Sequence, residues 1–153
     1  MIKYSVGLRF YEKVNNYGFA GIICNNIANI YLQQGDFRRS LEYYEKSINF
    51  GNNKSLKKQI IIGRKQNMAK ALIAYFQKKK KEELDNVRLN RHVLVERKIE
   101  REKELKQIMQ RLENCCIDIY RYYINKTKDY LTIVEYGCIL SWVQLELNNM
   151  KRS

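Results

Sequence analysis

Residues 25–50, NNIANIYLQQGDFRRSLEYYEKSINF, constrain the fold more than any other stretch, because a helical period runs through them twice with one break between. Ile27, Ala28, Tyr31 and Leu32 recur at spacings of one, three and four, which puts them on one helical face. Gly35 and Asp36 then interrupt the pattern. Glycine takes a positive φ after a helix C-terminus, and an Asp carboxylate caps the N-terminus that follows. The period restarts with Phe37, Ser40, Leu41, Tyr44, Ser47 and Ile48. Ala28, Ser40 and Ser47 lie on the apolar faces, where small side chains let two helix axes approach closely. The stretch predicts a helical hairpin shaped to stack on others.

Nothing in the remaining sequence argues for another fold class. The 153 residues contain no proline and 7 glycines, which favours long helices over strands and turns. That length is one domain's worth and is enough to bury a core. No apolar run approaches the roughly 20 residues of a membrane span. The start, MIKYSVGLRFYEK, lacks the layout of a signal peptide. These features lead us to expect an intracellular protein, cytoplasmic in the first instance.

The hairpin resembles the tetratricopeptide repeat, a helix–turn–helix unit of about 34 residues with fixed large and small positions. With the unit placed at 21–54, Ile27, Ala28 and Tyr31 fall on the family's Leu-Gly-x-x-Tyr. Gly35 and Phe37 fall on its turn, Ser40 and Ser47 on its small Ala positions, and Tyr44 on its aromatic position. Cys24 replaces the usual Trp, Ser replaces Ala, and no Pro closes the unit. A second copy supports the likeness: Gly7, Leu8, Tyr11, Glu12, Lys13 and Val14 align with Ser40, Leu41, Tyr44, Glu45, Lys46 and Ser47 at an offset of 33 residues. Such a period signals stacked helical units.

The resemblance implies an all-α protein of antiparallel hairpins, stacked as a short solenoid, with an elongated basic C-terminal helical part. Residues 1–76 carry the repeats: a half repeat at 2–16, the clearest unit at 21–54, and the start of a stretched third at 55–76. In the third, Asn67, Met68 and Ala69 echo Asn26, Ile27 and Ala28 at an offset of 41. Turns are expected at 15–18 and 51–55, and the helices of the clearest unit at 19–34 and 36–50. The buried stripe of the third unit is expected to comprise Ile60, Ile61, Met68, Ala71, Leu72 and Tyr75. Residues 77–153 hold a charged connection at 77–83, a long helix ending near Tyr123 with a lightly packed N-terminal half, and a terminal capping helix. Thr127 is expected to cap that last helix, which carries Leu131, Val134, Cys138, Trp142 and Leu145 on one face and frays from 148 onward.

Catalytic and metal chemistry find few candidates. The sequence has no Walker loop, G-x-G-x-x-G, G-x-S-x-G or H-E-x-x-H. Cys24, Cys115, Cys116 and Cys138 show no C-x-x-C spacing and are read as buried free thiols. Adjacent Cys115 and Cys116 point about 100° apart on a helix and do not readily chelate one ion. The single histidine, His92, has no evident carboxylate partner. We expect no enzyme activity, no cofactor and no metal.

The charge is uneven. Residues 1–54 carry 7 basic and 4 acidic side chains, 55–113 carry 17 and 8, and 114–153 carry 5 and 4, so +9 of the net +13 sits in the middle. Lys78, Lys79, Lys80, Lys81, Arg88 and Arg91 form a candidate basic docking patch, continued by Arg97, Lys98 and Arg101. Such groups could neutralise phosphates or another acidic surface with salt-sensitive affinity. Glu82, Glu83, Glu96, Glu100, Glu102 and Glu104 interrupt the field, and no aromatic platform alternates with the lysines. Mixed charge of this kind is the ordinary dress of a solvated helix, so nucleic acid is the lesser expectation.

The family likeness points to a protein partner. First helices of successive repeats line a concave groove that takes an extended peptide or a helix, and in the clearest unit its positions correspond to Ile22, Asn25, Asn29, Leu32 and Gln33. Asn amides can bond a peptide backbone without demanding a charge. The expected role is a non-catalytic scaffold, adaptor or subunit of a larger assembly. The open apolar edge of the first half repeat, Val6, Leu8, Phe10 and Tyr11, adds an expectation of self-association or coverage by a partner.

Overall fold

A computed structural model of the chain describes residues 2–52, 57–88, 95–126 and 129–152. Among the described residues there are six helices and no strand: α1 (Ile2–Lys13), α2 (Tyr17–Gln33), α3 (Phe37–Asn52), α4 (Lys58–Arg88), α5 (Val95–Lys126) and α6 (Tyr130–Arg152). The chain is all-α, as expected. It divides into two compact units, Met1–Ala71 and Leu72–Ser153, with the division inside α4.

In the first unit one turn is used twice. After α2, Gly35 at φ 74° lets its own N–H reach Leu32 O at 3.0 Å and the Asp36 N–H reach Tyr31 O at 2.9 Å. After α1, Asn15 at φ 55° does the same, its N–H on Glu12 O at 3.1 Å and that of Asn16 on Tyr11 O at 2.8 Å. These paired bonds satisfy carbonyls that a helix end leaves open. The residue that completes each turn caps the next helix: Asn16 Oδ1 accepts from Phe19 N and Asp36 Oδ1 from Arg39 N at 3.1 Å. The expected turn at 15–18 is therefore shorter, because the Asn16 cap starts α2 at Tyr17.

The core between α2 and α3 follows the predicted faces. Ala20, Cys24, Ile27 and Ala28 of α2 are buried, as are Ser40, Leu41, Tyr44, Ser47 and Ile48 of α3. The serines at the small positions do more than fit. Ser40 Oγ donates to Ala28 O at 2.9 Å and Ser47 Oγ to Gly21 O at 2.6 Å, so each hydroxyl is satisfied where the helices approach. Tyr11 stacks on Phe19, and Tyr31 on Tyr43.

In the second unit Leu105, Ile108, Met109, Leu112, Cys115, Cys116 and Ile119 form the buried stripe of α5. It packs with α6. Arg97, Lys98, Ile99 and Glu100 in the N-terminal part of α5 are exposed, as the thinning of apolar residues predicts. Phe76 meets Trp142 edge-on, with ring centroids 5.5 Å apart.

Several expectations need correction. Residues 77–83 are not a connection but the interior of α4, where Lys79 and Glu82, and Lys80 and Glu83, pair one turn apart and make a charged run compatible with helix. Gly51 and Asn52 belong to α3 rather than to the break after it. In α4 the buried residue at the start of the stripe is Ile62, while Ile60 is exposed and Ile61 half-buried. Thr127 and His92 lie outside the described residues. The described cap of α6 is Asp129, which accepts from Thr132 N at 3.2 Å and from Thr132 Oγ1 at 2.7 Å. That helix does not fray at 148 but runs to Arg152. Its core face is Tyr136, Val143 and Leu147, while Leu131, Val134, Cys138 and Leu145 are exposed and Trp142 is half-buried.

Candidate interaction surface

α2 packs against α3 and α1, and the predicted positions lie together on a further strip of its surface. Ile22, Asn25, Asn29 and Leu32 recur at three, four and three residues and Gln33 follows, so all five share one face. Ile22 and Gln33 are exposed and the other three half-buried. The two asparagines are oriented from below. Asn29 Oδ1 accepts from the Tyr44 hydroxyl of α3, and Asn25 Oδ1 accepts from Asn67 Nδ2 of α4 at 3.1 Å. Each side-chain oxygen thus accepts one bond within the unit, and each amide keeps its two N–H donors and one further acceptor lone pair. Tyr44 is held neutral: burial pushes its hydroxyl up to about 12, partly opposed by a bond with Ser40.

The pattern of the hairpin gave no sign of the residue that joins α4 to it. Arg64 is only 5% exposed. Its guanidinium donates to Ser47 O of α3 and, at 3.4 Å, to Gly18 O of α2. Burial lowers its pKa, although an Arg so placed stays charged at neutral pH. The slot exists because two helical glycines line it. A Cβ on Gly21 would sit 2.7 Å from the guanidinium carbon, and one on Gly51 3.1 Å from Ile61. Glycine within a helix costs about 1 kcal/mol relative to Ala, so Gly21 and Gly51 were the available sequence signal.

The basic patch is partly spent inside the second unit. Lys79 Nζ is 3.1 Å from Glu104 and 4.0 Å from Glu82, and Lys80 Nζ is 3.5 Å from Glu83. Lys79 also lies over the Tyr75 ring, whose hydroxyl donates to Glu104. Lys78 and Lys81 are exposed, Arg88 ends α4, and Arg91 lies outside the described residues. Among the described residues no group of three or more His, Cys, Asp and Glu side chains is placed to hold a metal ion. No described helix is long and apolar enough to cross a membrane.

This hairpin, with small residues at its contact and a first helix that keeps an open face, is the segment for which a family model matches: the tetratricopeptide repeat, over residues 22–50. The chain carries a tetratricopeptide repeat. The matched segment runs from within α2 to near the end of α3 and includes the buried Ser40, Tyr44 and Ser47. Tetratricopeptide repeats are protein–protein interaction modules and typically non-catalytic. No curated protein and no solved structure gives a significant match.

Proposed function

We infer that the protein is a non-catalytic scaffold, an adaptor or assembly subunit inside the cell, and that the open face of α2 receives a partner's peptide or helix. The observation that carries this reading is the orientation of Asn25 and Asn29. Their oxygens are bonded within the unit, so their N–H donors suit backbone carbonyls of an extended or helical segment. Ile22 and Leu32 add apolar contacts beside them. Docking of the basic patch on an acidic surface is the weaker reading, since Lys79 and Lys80 already face carboxylates.

The test is affinity capture from lysate of the source cell, with bound protein and nucleic acid identified at low and at high salt. Ile22→Ser with Gln33→Ser changes only exposed side chains of the α2 face. Lys78→Glu with Lys81→Glu changes the two exposed lysines of the basic patch. A defined protein that survives salt and is lost with the first pair supports the α2 face. Capture lost with salt and with the second pair replaces that reading by the basic one.

A further inference from the structure

α6 is apolar on two opposite sides. Tyr136, Val143 and Leu147 are buried in the core of the second unit. On the reverse side Leu131, Val134, Cys138 and Leu145 are exposed, Leu131 at 85% and Val134 at 63%. Steps of three, four and seven residues keep these four on one stripe, roughly 21 Å long at 1.5 Å per residue. Single exposed leucines are ordinary, but a continuous seam with this period is the surface that another helix covers.

Charge selects the kind of helix. Between residues 129 and 150 the chain carries Asp129, Glu135 and Glu146 and no Lys or Arg, within a protein of net +13. Glu135 and Glu146 are eleven residues apart, about three turns, and so border the seam on the same edge. Tyr130, Ser141 and Asn148 border the other edge and are neutral. Neither glutamate forms an ion pair with a described residue.

We propose that the outer face of α6 docks one amphipathic helix of a partner protein, whose apolar seam is edged with Lys or Arg where it meets Glu135 and Glu146. A second copy of α6 is a poor occupant. Along the seam it offers Glu135 and Glu146 only like charges or neutral groups, its Lys151 and Arg152 lying in the last turn beyond Leu145, and it brings a second net charge of +13.

Two labelled synthetic peptides of roughly 20 residues test this, sharing one heptad pattern of leucines and differing only in bordering Lys or bordering Glu. Titrated with the full chain and read by fluorescence anisotropy, the Lys peptide binds saturably and the Glu peptide at least about tenfold more weakly, against the sign of the chain's net charge. Leu131→Ser with Val134→Ser and Leu145→Ser abolishes binding, and far-UV circular dichroism and the melting curve confirm that this variant stays folded. Glu135→Lys with Glu146→Lys reverses the preference between the two peptides, which a variant that merely unfolds cannot do. Binding of neither peptide, equal binding of both, or binding unmoved by these variants overturns the proposal. So does sedimentation showing a dimer that the serine variant dissolves, because the occupant is then a second copy.

Discussion

Arg64 shows how one side chain can organise an interface that the repeat pattern alone leaves undefined. Its guanidinium occupies a slot lined by Gly21 and Gly51 and donates to carbonyls of both α2 and α3. The fixed planar fork is suited to two acceptors at once, and a position near the C-terminal end of α3 favours a cation. Gly21→Ala must therefore collide with Arg64 and not with the backbone. We expect Gly21→Ala to destabilise the chain by about 2 kcal/mol, in the range of overpacked cores. In an Arg64→Ala background the same change is near neutral or stabilising, because Ala is the better helix former by about 1 kcal/mol. Urea unfolding of the four proteins checks this, and additive effects would show that the slot is not what requires glycine.

Three buried acidic groups link stability to pH in the alkaline range. Burial pushes the Cys24 thiol from 9.0 to about 11 and the Cys116 thiol to about 12, and the Tyr44 hydroxyl from 10.0 to about 12. Each group is raised in the folded state, so between the two values the folded chain holds more protons than the unfolded one. Stability is then full below about pH 9 and falls as pH rises towards 12. Chemical unfolding at pH 8 and pH 10 should show the decline, and Cys24→Ala should reduce it once its own effect at pH 8 is subtracted. A flat profile through pH 10 would mean that these groups ionise without opening the structure.

Among the elements, what was legible depended on whether one residue type answered one structural need. The α2–α3 hairpin was readable because Gly35 supplies the positive φ, Asp36 the cap, and the small residues the close approach. That Ile22, Asn25, Asn29, Leu32 and Gln33 share one side of α2 was legible from their spacing, although the bonds that orient Asn25 and Asn29 come from Asn67 and Tyr44 and required the fold. Residues 77–83 were misread because a dense charge run resembles a linker until its one-turn ion pairs are considered. α6 was misread for a different reason. A helix with two apolar sides has no single moment to follow, and the more regular stripe proved to be the outer one. Leu147→Ala should cost about 2–3 kcal/mol as a core truncation. Leu131→Ala should stay within about 0.5 kcal/mol despite the larger place of Leu131 in the predicted stripe. Equal costs in thermal unfolding would refute the assignment of the two sides.

Over the whole molecule the charge is more consequential than any single ion pair. Of the 29 basic side chains, 17 lie between residues 55 and 113 against 8 acidic ones, and Arg39, Lys79 and Lys80 are among those held in ion pairs. Exposed pairs of this kind contribute about 0–1 kcal/mol each, while the excess positive charge along the same helices repels itself most in the compact state. Screening weakens both, but it relieves more repulsion than it removes attraction, since the Debye length shrinks to about 10 Å by 0.1 M salt. The melting temperature should therefore rise by a few degrees between roughly 20 mM and 300 mM sodium chloride. Lys78→Glu with Lys81→Glu should flatten that dependence by lowering the local charge. A melting temperature that falls with salt would place the balance with the ion pairs. The mixed sequence of α4 and α5 would then serve as a stabilising network, leaving less free positive field for an acidic partner.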